Sequence, residues 1–186
     1  MKLFTILVAA LTGFGCSVFW GIDGSGDTSP AFATIINNKP FELQQDQLLR
    51  GIVMNKTGSI DGRVPARTVI SATFNGPSYD ISEGRLFNEN IQMELNYEPE
   101  HIGSLKYYSM AVQYMSGSYY LLGDESKLKI TRFDWESDRK HFLLSADYNC
   151  KLRSWGAPTD GKRDIYLSGS FTNLRITVPS WVTIKN

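Results

Sequence analysis

Cysteine and histidine are scarce in this chain, with two of each, and there is no excess of charge: 19 lysines and arginines stand against 19 aspartates and glutamates. Two cysteines are too few for a disulfide framework or a cysteine-rich zinc site. The charge balance removes the basic excess on which nucleic-acid binding rests, so no nucleic acid is expected as a partner. No G-x-S-x-G, H-E-x-x-H, glycine-rich phosphate loop or C-x-x-C occurs, so the chemistries those motifs carry lack their signatures. Sustained helical periodicity is missing as well. What remains is ordinary globular composition, 42% hydrophobic and 20% charged, in a length that allows one domain with a leader. Nine tyrosines suit pleated, half-buried surfaces.

The longest uncharged run lies at the start. Lys2 precedes it, Asp23 ends it, and its apolar part "LFTILVAAL" has the length of a signal-peptide core. Three readings stand. In the first, residues 1–15 are a signal peptide and Cys16 carries lipid; Gly13, Phe14 and Gly15 precede the cysteine, and only Gly15 suits a lipoprotein site well. In the second, cleavage follows the small-x-small stretch Ala31-Phe32-Ala33 and frees a secreted or periplasmic soluble protein. In the third, residues 3–22 stay as an uncut membrane anchor. All three export the rest of the chain, and the expected location is the cell envelope. Residues 16–31, which include "IDGSGDTSP", read as a flexible tether.

Residues 32–186 read as strands. "IQMELNY" places Ile91, Met93, Leu95 and Tyr97 on one face. "YSMAVQY" does the same for Tyr108, Met110, Val112 and Tyr114. "HFLLSADYNCKLRS" aligns Phe142, Leu144, Ala146, Tyr148, Cys150 and Leu152 over an unusual length, which predicts a bend or a bulge. "KLKITRFDW" and the polar "ESDRK" before it make a hairpin. In "DIYLSGSFTNLRITVPSW" the apolar parity changes between Phe171 and Leu174. That demands an extra residue near Thr172-Asn173, a β-bulge, and Pro179 marks the end of the strand. "RTVISATFNG" reads as a strand closed by Asn75-Gly76, and the first half of "QQDQLLRGIVM" as a helical turn. Short strands with turn signals predict a single antiparallel β-sandwich, with a β-barrel as the alternative.

Candidate chemistry is sparse. Cys150, on an apolar strand face, reads as a small core residue, and no disulfide is expected. Glu98, Glu100 and His101 read as a solvated turn, so no metal and no cofactor are expected. The aromatics Tyr107, Tyr119, Trp135 and Trp155 flank turns or take the parity opposite to the clear core rows. Exposed rings on a sandwich are a platform for sugars or a protein partner, which makes these four the ligand-binding candidates.

"ATIINNKPFEL", "KITRFDWESDRKHFLLSADYNCKL" and "IYLSGSFTNLRITVP" together resemble stretches of uncharacterised secreted proteins and lipoproteins of Bacteroidetes-type cell envelopes. Asn38 stands where those proteins have glycine; both residues tolerate positive φ. The resemblance implies a β-sandwich on a lipid or secreted leader and favours lipid on Cys16, with no activity attached. The expectation is therefore an envelope lipoprotein, membrane-tethered, with a non-enzymatic module that binds a glycan or an envelope protein. A hydrolase of envelope polymers and an assembly subunit are the alternatives.

Overall fold

The computed structural model describes residues 29–60, 63, 65–81, 85–98, 105–115, 117–121, 126–154 and 163–182. Cys16, His101 and Trp155 lie outside them. Ten strands follow in order: β1 (Ala31–Ile36), β2 (Lys39–Pro40), β3 (Arg50–Lys56), β4 (Arg67–Ile81), β5 (Arg85–Asn96), β6 (Tyr107–Tyr114), β7 (Gly117–Leu121), β8 (Lys127–Trp135), β9 (His141–Ser154) and β10 (Asp164–Thr177). The fold is all-β, as the alternation predicts.

The long antiparallel pair β9–β10 is the spine. β10 takes β1 on its other edge along Leu167–Thr172, then β3 along Arg175–Thr177. β9 takes β8 along Phe142–Asn149, then β7 along Leu152–Ser154. Strands β3 to β7 are antiparallel neighbours throughout. The result is two layers that share hydrogen bonds at diagonal corners, one where β3 meets β10 and one where β7 meets β9. One contact departs from the purely antiparallel expectation: β3 runs parallel to β10. The β10 bulge separates the stretch that serves β1 from the stretch that serves β3, so one long strand can change partners and layers.

The facing rows make one core. Ile70, Phe74, Ile91, Met93, Leu95, Met110 and Val112 from one layer meet Phe142, Leu144, Leu152, Ile165, Leu167 and Ile176 from the other. Rings cross between the layers, with Phe74 against Phe171 at 6.1 Å and Tyr97 against Phe142 at 6.1 Å between centroids. Each large side chain buried this fully contributes about 1.5–3 kcal/mol. Cys150 is fully buried within the inward row of β9.

Turns and bulges set where each row begins and ends. Asn37 and Asn38 both have positive φ, 48° and 66°, in the two-residue turn between β1 and β2, the conformation that hairpin twist requires. The β10 bulge falls at the predicted place, with Thr172 and Asn173 opposite Ser145. β8 bulges at Thr131, against the same stretch of β9. β9 keeps its register while both neighbours gain a residue. β4 does not close at Asn75-Gly76 as the sequence suggests; it bulges there and continues to Ile81. The segment before β3 forms a turn in which the Gln47 N–H donates to the Gln44 carbonyl at 3.1 Å.

Candidate functional site

The β4 bulge builds the most distinctive site among the described residues. Asn75 pairs with Asn90 and Ser78 with Asn88, so Gly76 and Pro77 together face a single residue, Glu89. Glu89 has the parity of Ile91, Met93 and Leu95, and its side chain enters on the core side. It is a carboxyl with only 8% exposure. Gly76 makes room for it: a Cβ there would lie 2.9 Å from the Phe41 ring and 3.1 Å from the Glu89 Cβ. Strand β2 and Met115, just past β6, line the site as well. Met115 adopts φ 45°, and its N–H donates to Glu89 Oε1 at 3.4 Å. The open cleft, about 560 Å³, is lined by Pro40, Pro77, Tyr79, Tyr114 and Met115, with Glu89 among them and the exposed Lys39 and Glu42 at its margin.

The electrostatics follow from burial. Desolvation holds the Glu89 carboxyl above the usual carboxylate range, and the Met115 N–H opposes this only in part. The Tyr79 phenol is pushed up by desolvation and then by the negative charges of Glu89 and Glu42. The Tyr79 ring is nevertheless 47% exposed. The cleft thus combines a presented aromatic face, an acid in apolar surroundings and a second acid at the mouth. A concave site with a perturbed acid is a default binding or catalytic candidate.

Tyr107, Tyr119 and Trp135, picked from the sequence, lie elsewhere, and Trp155 is outside the described residues. Tyr119 is only 1% exposed, so its expected exposure is corrected; its ring packs over Gly117, where a Cβ would approach within 2.7 Å. Tyr107 and Trp135 also turn inward, and for one reason. A register shift beside Tyr108 places Tyr107 opposite Leu95, and the Thr131 bulge brings Phe133 and Trp135 to the face held by Leu128 and Ile130 before it, opposite Leu144 and Phe142. A one-residue bulge flips every side chain beyond it. Trp135 packs on Phe142 at 5.2 Å between centroids, and the Arg67 guanidinium covers the Tyr108 ring. Tyr107 lines a second cavity of about 760 Å³, with Leu105, Leu128, Ser126 and Tyr148. Its hydroxyl and that of Ser126 are buried, with the Cys150 thiol close to both.

One further cluster escapes sequence reading. Glu136, Asp138 and His141 bring ligand atoms within 4.8 Å of one another at the β8–β9 turn. Each acid already has a structural task. Glu136 receives both nitrogens of Arg175, at 2.7 and 2.8 Å. Asp138 Oδ1 accepts the Lys140 and His141 N–H groups, and its Oδ2 lies 2.6 Å from His141 Nδ1. The Arg175 bond lowers the Glu136 pKa; the turn N–H groups and His141 lower that of Asp138. This is a staple between a hairpin turn and β10.

β8 pairs only with β9, so its outer edge is open among the described residues. The exposed Lys127 and Lys129 and the Thr131 bulge are devices that discourage a further strand from adding there.

The chain matches no protein-family model, no curated protein and no solved structure.

Proposed function

We propose that residues 32–186 are the extracytoplasmic binding module of an envelope protein tethered by lipid on Cys16, and that the Glu89 cleft binds a glycan. One observation carries the reading: the exposed Tyr79 ring stands beside a carboxyl held in apolar surroundings. A sugar offers a flat C–H face for the ring and hydroxyls for the acid, and such a pairing fixes both position and orientation. Glycan-array screening of the full chain, followed by titration of the hits, tests it. Tyr79→Ala is expected to weaken binding ~tenfold, the loss of roughly 1.4 kcal/mol of stacking. Binding to a protein partner with no glycan captured would overturn the reading.

The address rests on the uncharged leader and its cysteine. Intact mass and lipid labelling of the native protein should give an N-terminus at Cys16 and a label lost in Cys16→Ser. An N-terminus at Thr34, or at Met1 in the membrane fraction, would refute lipidation.

A second reading has its own observation. Glu42 and Glu89 line one cleft, and Glu89 is the acid whose pKa is raised. Glycosidases divide labour between two carboxyls in this way. Sustained hydrolysis of a bound glycan, abolished in Glu89→Gln, would make the module an enzyme.

A further inference from the structure

Among the described residues Glu89 has no ion-pair partner and one hydrogen-bond donor, the Met115 N–H at 3.4 Å, whereas an ionised carboxylate has about four lone-pair positions to satisfy. Lys39 shares the cleft but forms no ion pair with Glu89 or Glu42. The second Glu89 oxygen has no protein donor among the described residues, so a cation entering the cleft finds a carboxylate oxygen ready to pair. The walls suit a cation too. Tyr79 offers an exposed ring face, to which ammonium groups are drawn. Pro40, Pro77 and Met115 give the cleft apolar margins. Glu42 adds a second negative charge at the mouth, and both acids already act on Tyr79. A neutral sugar would satisfy the ring and leave the charge uncompensated.

We propose that the ligand of this cleft carries a free, positively charged amino group that pairs with Glu89, so that an amino sugar is preferred over its neutral or N-acylated counterpart. The inference rests on the glycan reading above and specifies its substrate class. Binding requires the ionised carboxylate. Glu89 holds its proton to higher pH than an ordinary glutamate, so affinity for an amine falls as pH is lowered and the carboxylate is protonated. The titratable groups facing Glu89 are Glu42, Lys39, Tyr79 and Tyr114. Tyr79 is raised above its ordinary range, and the raised acid Glu89 carries the pH dependence.

Calorimetric titration of the full chain tests this with three probes: a β-1,4-linked glucosamine oligomer, its fully N-acetylated form, and n-butylamine. The glucosamine oligomer is expected to bind ~tenfold or more tightly than the acetylated form at pH 7. The difference should shrink at pH 4.5, disappear in Glu89→Gln and narrow in Glu42→Gln. Glutamine can still accept the Met115 N–H, and Glu42 is exposed, so at least one variant should remain folded; thermal melts verify this. Equal binding of both oligomers overturns the amine preference and leaves the glycan reading intact. Butylamine binding as well as the glucosamine oligomer keeps the charge pair and overturns the glycan reading. Binding of none of the three overturns both.

Discussion

Arg132 and Asn173 meet across β9. The Arg132 guanidinium donates to Asn173 Oδ1 at 2.7 Å, joining the residue just past the β8 bulge to the bulge residue of β10. Asn173 holds φ 52°. Its own N–H donates to Ser145 Oγ at 2.9 Å, and its Nδ2 donates to the Ser29 carbonyl at 3.1 Å. One buried residue, through its backbone N–H and its amide, thus ties three strands and the segment before β1. Asn173→Ala keeps an unfavourable φ and loses the amide's bonds. Destabilisation of about 2–3 kcal/mol is expected in denaturant unfolding, whereas Asn173→Gly, which relieves the backbone, should lose less.

Gly169 is the glycine of "LSGSF", and its lack of a side chain lets two other residues touch. It pairs with Thr34 on one side and Tyr148 on the other, and the Thr34 and Tyr148 hydroxyls hydrogen-bond past it. A Cβ at this position would lie 2.2 Å from the Ala33 carbonyl oxygen and 2.7 Å from Thr34 Oγ1. Gly169→Ala should therefore separate β1 from β10 and cost about 3 kcal/mol or more, from overpacking and a broken buried hydrogen bond. Hydrogen exchange should show protection lost first in β1. Unchanged protection there would contradict the close approach.

The Glu136–Arg175 and Asp138–His141 contacts predict acid sensitivity. Both carboxyls have lowered pKa values in the fold. Their contribution is present above the unfolded carboxylate values and is lost as pH falls through the lowered folded ones. Melting temperature should drop across that acid interval, and Glu136→Gln should flatten the drop while lowering stability at pH 7 only slightly, since the pair is solvent-exposed. An unchanged profile in the variant would remove the staple from the account.

Cys150 should be chemically silent. Burial pushes its thiol above the usual range, and the side chain is fully enclosed, so the reactive thiolate is rare and inaccessible. An aromatic disulfide reagent at neutral pH should label Cys150 only as fast as the domain unfolds. Rapid labelling of the native protein would show that the neighbouring 760 Å³ cavity opens to the thiol.

Alternation by itself determined the strands, the all-β class, the inward row of β9 and the place of the β10 bulge, because a period of two admits one buried face and a parity break must be absorbed locally. The same rule led astray at Tyr107 and Trp135. Bulges at Tyr108 and Thr131 leave no mark in the sequence comparable to the Phe171–Leu174 parity break, since aromatic rings read as acceptable on either face. Glu89 was legible in principle as an acid two residues before Ile91, in the inward row, but an isolated acid in such a row also fits a strand that has passed beyond the core. Only the tertiary structure decided otherwise. It laid Gly76 and Pro77 over Glu89 and brought strand β2 and Met115, from distant parts of the chain, to the same cleft. Contacts between residues so far apart depend on which strands pair, and the period of a single strand carries no information about its neighbours.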